Sequence, residues 1–387
     1  MQAASRMDDT LIDVPHGLTN VVVAETTLSD VRGQEGFYHY RQYSATELAT
    51  MRSVEDVWRL LLDGELPTPD ESLRFTQEVR DAARISPHVH DVIRVAIRGP
   101  HADPLAALRV ALAAEGLDRG MRPLFDLSPA DRRRDLVSLA AKTPVIIAAI
   151  SRVAAGELPI DPRPELGYVA NYLYMIRGEE ASAQQVSALS SYLVAAIDHG
   201  FNASTFTARV IASTGADAAA CLVGALGALS GPLHGGAPSR ALDALDAIGT
   251  LENVDSWVAQ RIAANERIMG FGHPVYRTED PRSAMLKEVA RRFGGDRVEL
   301  AIRVEERIPV LLEQLKPGRA LHTNLEWFAA IVMELCELPR ELFTPTFAAA
   351  RVLGWTANVL EQAADSKIIR PSARYVGPEA PVPVPAT

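Results

Sequence analysis

Along most of the chain, apolar positions recur every three or four residues; one short region near the start reads as strand instead. There Val21-Val22-Val23 and Thr26-Thr27-Leu28 precede a turn-rich Ser29 to Gly36, and Phe37-Tyr38-His39-Tyr40-Arg41 follows, which predicts a small N-terminal β-hairpin. Helices take over afterwards. Ser53 is an N-cap with the acid Asp56 three residues on, and Val57, Leu60 and Leu61 form a stripe that stops at Gly64 and Pro67. Asp103-Pro104 starts another helix, with Leu105, Leu108 and Leu112 on one face and Gly116 as its terminator. Ser128-Pro129 begins the next, and Thr143-Pro144 either kinks it or starts a successor that runs to Gly156. Leu166, Val169, Leu173 and Ile176 repeat at helical spacing, as do Val186, Leu189, Leu193 and Ile197, with Gly200 suited to the left-handed cap of the latter helix. Residues 216 to 229 form a helix of small residues, where Gly224 and Gly227 let neighbours approach closely. From 241 to 334 the helical patterns carry more charge, and the stretch 347 to 361 returns to the apolar character of the first half. The expected fold is mainly α, with a small helical domain at 236–336 set into a large one made of 1–235 and 337–387.

Composition narrows the function. A net charge of −10, with no concentrated basic face, argues against a nucleic-acid partner, so an anionic ligand has to be held by locally placed arginines. Cys221 and Cys336 are far apart in apolar runs, which points to buried thiols in a reducing compartment and to neither a disulfide framework nor a thiolate metal site. The first fifteen residues lack a continuous apolar segment, and the longest charge-free stretch, 218 to 239, ends in Gly and Pro. A cytoplasmic protein with no membrane partner is expected.

Two histidines stand among glycines, in Gly231-Pro232-Leu233-His234-Gly235-Gly236-Ala237 and in Gly270-Phe271-Gly272-His273. Glycine permits positive φ and close backbone approach, so a histidine framed this way can face a small pocket. Further motifs accompany them in order: Tyr40-Arg41, Gly64-Glu65-Leu66-Pro67, His199 with Asn202-Ala203-Ser204, Asp280-Pro281-Arg282, Asn324-Leu325-Glu326, Ala350-Arg351 with Gly354-Trp355, and Ile369-Arg370-Pro371-Ser372. In this order and spacing, from Gly17 to Gly377, the chain resembles the citrate synthase family.

The resemblance implies a mainly α-helical, two-domain homodimer that closes over oxaloacetate and acetyl-CoA, an acyl-CoA co-substrate, with no permanently bound cofactor and no metal. Carried onto this sequence, it makes His234 the group that stabilises the acetyl-CoA enol, His273 the group that polarises and protonates the ketone, and Glu326 the base that removes the methyl proton. It makes His199, Arg282 and Arg351 oxaloacetate ligands, Arg370 a residue acting in the partner subunit's site, and Arg277 a candidate CoA contact. The chemistry asks for the same types: a base, a donor where enolate charge develops, and planar guanidinium forks for two carboxylates.

Two departures matter. Glu326 stands where the family carries aspartate, and one added methylene moves the carboxylate by about 1.5 Å if the backbone stays put, a displacement that can cost about 100-fold in rate. Compensation by the backbone, and real activity, is the expectation. Pro274 after His273 and the run Ile368 to Pro378 look more like 2-methylcitrate synthases, which use propionyl-CoA. That enzyme is the alternative within the class, and a non-catalytic oxaloacetate- or CoA-binding relative is the alternative outside it.

Overall fold

The structure is a computed structural model that describes residues 11–385 apart from 100, 101, 236, 237, 267, 273, 274, 277, 316–320, 366 and 379. Three short strands open the chain, β1 (Ser29–Arg32), β2 (Phe37–Tyr40) and β3 (Tyr43–Ser44), in one antiparallel sheet of order β1-β2-β3. The first half then runs through α1 (Ala45–Met51), α2 (Val54–Asp63), α3 (Pro69–Ala82), α4 (Pro87–Ala96), α5 (Pro104–Asp118), α6 (Pro129–Ala154), α7 (Tyr168–Arg177) and α8 (Ala183–Ala196). The second half holds α9 (Ala203–Ser213), α10 (Ala218–Leu229), α11 (Pro238–Ile248), α12 (Val254–Ala263), α13 (Pro281–Arg291), α14 (Asp296–Leu315), α15 (Leu325–Leu335) and α16 (Phe343–Ala363). The mainly α fold is as expected.

Local chemistry accounts for the helix ends. Ser53 caps α2 by accepting from Asp56 N, and Gly64 closes it in the left-handed region at φ 96. Asp103 caps α5 by accepting from Ala106 N, with Pro104 at the first helical position. The Thr143-Pro144 step does not divide α6, which continues for 26 residues with Pro144 inside. Thr143 Oγ1 bonds the Leu139 carbonyl instead. This helix is long and apolar enough to cross a membrane, yet 83% of its most apolar window is buried inside the protein, where it packs along α16 as a core helix.

Four expectations are corrected. The first strand of the hairpin lies at Ser29–Arg32, inside the stretch assigned to the turn, and pairs Ser29 with Tyr40 and Arg32 with Phe37. The aromatic strand sets this register: Tyr38 and Tyr40 face the core, and only residues 33 to 36 are left to turn. Val21, Val22 and Val23 line a cleft as irregular backbone. Gly116 does not end α5; it lies where a Cβ would stand 2.5 Å from Ala219 Cβ of α10, so it permits close helix packing. Gly120, at φ 60, follows the true end of the helix. Likewise α8 stops at Ala196, four residues before Gly200, because side chains take its last carbonyls: Tyr40 Oη donates to Val194 O and Arg351 Nε to Ala196 O. Of the two glycines in α10, Gly224 packs against Ile211 of α9, while a Cβ added at Gly227 would meet no atom within 4 Å. Both cysteines are buried and free.

Candidate active site

One cleft of about 1120 Å³ is lined by His199, His234, Arg282, Glu326 and Arg351. These five residues come from five separate stretches of sequence, each positioned by its own element.

Glu326 sits in the first turn of α15. Asn324 caps that helix by accepting from Glu326 N at 3.0 Å, and Leu325 N donates to Asp280 Oδ2 at 3.0 Å. Burial is the main influence on the carboxyl and pushes its pKa up to about 7, with Arg282 opposing the rise and Asp280 adding to it. A carboxylate poised there is suited to take a proton at neutral pH.

Arg282 is buried at the start of α13 and held by the cap residue before it. Asp280 accepts from Arg282 Nε at 3.0 Å and from Nη2 at 2.8 Å, so one carboxylate fixes the guanidinium while also anchoring the start of α15.

Arg351, on α16, is 3% exposed. Its Nε donates to Ala196 O at 2.8 Å and its guanidinium lies 4.7 Å from the Phe347 ring centre. No carboxylate among the described residues is within ion-pair distance of it. Burial lowers its pKa, and the acid that opposes this most, Asp198, is itself pushed upward by burial while Ser29 Oγ donates to it. A buried cation with so little counter-charge is suited to hold an anion.

His234 follows α10 in a turn. Its Nε2 lies 3.3 Å from Ser204 N and 2.8 Å from Ser204 Oγ, at the start of α9. A backbone N–H can only donate, so Nε2 presents its lone pair and the proton of the neutral ring resides on Nδ1. Burial, with a contribution from Arg351, pulls the pKa down to about 4, which keeps the imidazole neutral. His199 is half-buried in the loop after α8; its Nε2 is 2.9 Å from Tyr276 Oη, and its ring lies between those of Tyr38 and Tyr276 at 5.6 and 5.5 Å.

His273 and Arg277 lie outside the described residues. Arg370 is exposed in the extended segment after α16, where Ile369 N donates to Ser213 Oγ at 3.0 Å, and it does not line the cleft of its own chain. Sequence reasoning missed the supporting residues: Ser204 beneath His234, Asp280 beneath Arg282, and Tyr192, which also lines the cleft. The Asn-Ala-Ser and Asp-Pro-Arg motifs contain two of them but do not say what they touch. Among the described residues, no group of three or more His, Cys, Asp or Glu is arranged to hold a metal ion.

Comparison with known proteins identifies the family of the chain as a whole. Residues 17–372 match the family described as "Citrate synthase, C-terminal domain". A citrate synthase of Synechocystis is 37% identical over 366 residues, covering 93% of this chain and 90% of the relative. The crystal structure of citrate synthase from Pyrobaculum aerophilum superposes with a TM-score of 0.85 at 34% identity, over 96% of this chain and 94% of that one. Citrate synthase from Thermoplasma acidophilum, solved as a ternary complex with oxaloacetate and carboxymethyl coenzyme A, gives a TM-score of 0.85 at 28% identity, over 95% of this chain and 97% of that one. With a buried guanidinium, a raised carboxyl and a neutral imidazole in one cleft, and with this similarity along nearly its whole length, the chain belongs to the citrate synthase family.

Proposed function

We propose that this protein is a citrate synthase that condenses acetyl-CoA with oxaloacetate and hydrolyses the thioester to citrate and CoA. The observation that carries the reading is Arg351, a buried guanidinium without an ion-pair partner among the described residues, in the same cleft as a carboxyl raised to about 7. Arg351 and Arg282, with His199, bind the two carboxylates of oxaloacetate. Glu326 removes a proton from the methyl group of acetyl-CoA, and His234 donates from Nδ1 to the thioester oxygen as enolate charge develops there. The enol carbon then bonds to the ketone carbon, His273 supplies the proton to the ketone oxygen, and water cleaves the resulting thioester to release CoA.

Residues 236–336 act as the smaller domain, which closes on the larger one and excludes water from the cleft. The active form is a homodimer in which Arg370 completes the site of the partner subunit, and Arg277 contacts CoA. The enzyme works in the cytoplasm, in the tricarboxylic acid cycle. Acetyl-CoA is the favoured thioester because the curated relatives from Synechocystis and Deinococcus radiodurans are both named citrate synthase.

The test is steady-state release of free CoA from acetyl-CoA and from propionyl-CoA, each with oxaloacetate. A higher kcat/KM with acetyl-CoA is expected; a large preference for propionyl-CoA makes the protein a 2-methylcitrate synthase, and binding of both substrates without CoA release makes it a non-catalytic relative.

A further inference from the structure

Tyr192 lies on α8, the helix whose Ala196 carbonyl holds Arg351. It is completely buried and is one of the residues that line the cleft. The hydroxyl is also buried, and it has no hydrogen-bond partner among the described residues. Other buried tyrosines of the same core are satisfied: Tyr40 donates to the Val194 carbonyl, Tyr168 to that of Ala349, and Tyr172 pairs with Thr346. A buried hydroxyl left unpaired is destabilising, so Tyr192 stands out as an open donor in the wall of a binding site. Burial holds its pKa far above neutrality, so it keeps its proton, and the charged groups that act on it are Arg351, Glu326 and Arg282.

We propose that Tyr192 is a substrate-binding residue whose hydroxyl donates a hydrogen bond to the carboxylate of the oxo-diacid that Arg351 holds. The inference rests on the oxaloacetate reading of the cleft. A carboxylate brought to Arg351 carries more lone pairs than one guanidinium uses, and a neutral donor lining the same cleft can satisfy one of them without adding charge. The same contact pairs the hydroxyl that is otherwise left alone.

The experiment is Tyr192→Phe, which removes the hydroxyl and keeps the ring. Oxaloacetate binding is measured by calorimetry in wild type and variant, together with the melting temperature of the ligand-free proteins and the KM for acetyl-CoA. The expected result is oxaloacetate affinity weakened by about 10- to 100-fold, as for loss of a hydrogen bond to a charged group, with ligand-free melting unchanged or raised and the KM for acetyl-CoA unchanged. Unchanged oxaloacetate affinity in the variant, with wild type binding normally, overturns the inference and leaves the functional reading intact. Lowered ligand-free melting with equal weakening toward both substrates also overturns it, in favour of a structural role. Failure of wild type to bind oxaloacetate removes the functional reading itself.

Discussion

At the residue scale the chemistry turns on Glu326, whose carboxyl is raised to about 7 chiefly by burial. As the proposed base it must be ionised, so kcat/KM, which reports the free enzyme, rises with pH through about 7 and levels above it; His234, held near 4, adds no limb in that range. The same shift affects stability. The folded state binds the Glu326 proton more tightly than the unfolded chain does, so its contribution to stability is present at low pH and is lost as pH rises to about 7. Glu326→Gln should therefore melt higher than wild type at pH 8 in thermal denaturation while losing about 100-fold or more in CoA release. Glu326→Asp retracts the carboxylate by about 1.5 Å and is expected to cost up to about 100-fold in kcat, with oxaloacetate affinity unchanged by calorimetry. The residue types of this site were legible in the sequence because His234 and the Asn324-Leu325-Glu326 run sit in distinctive local motifs. What holds them was not, because Ser204 reaches His234 across 30 residues and Asp280 reaches Leu325 across 45, and local pattern carries no information about such pairs.

At the element scale, α16 and the loop after α8 are fitted to one another through Gly354. A Cβ at that position would stand 2.1 Å from Ile197 O and 3.3 Å from Asp198 Cβ, and backbone cannot yield as a flexible side chain can. Gly354→Ala is expected to destabilise by about 1–3 kcal/mol in denaturant unfolding, and because the displaced loop carries His199, to weaken oxaloacetate binding as well. Gly116→Ala meets Ala219 between α5 and α10, neither of which lines the cleft at these positions, and should lower stability without changing KM. The contrast between these two variants separates packing from positioning. Helices were legible wherever a capping side chain preceded an apolar stripe, as at Ser53 and Asp103. Gly116 misled because glycine ends helices and also allows them to touch, and only the partner helix shows which applies. The first strand was misplaced because Val21 to Val23 have strand composition, while pairing is fixed by the aromatic strand opposite.

At the scale of the whole molecule, the proposed homodimer makes a prediction that neither subunit alone can meet. Arg370 lies exposed and away from its own cleft. If it serves the partner's site, Arg370→Ala and Glu326→Gln subunits are each strongly impaired alone but recover activity when mixed and allowed to exchange. Random pairing makes half the dimers mixed, each with one complete site, so about a quarter of wild-type activity is expected. No recovery on proven exchange places Arg370 outside the partner's site. Oxaloacetate and a CoA analogue together should compact the particle in solution scattering, as closure of residues 236–336 on the rest requires. The most direct measurement is the pH dependence of kcat/KM for CoA release, which reports the ionisation of the free enzyme. A limb rising through about pH 7 in wild type and absent from the residual activity of Glu326→Gln is the predicted result. A Glu326→Gln enzyme with undiminished turnover and the same limb would contradict it.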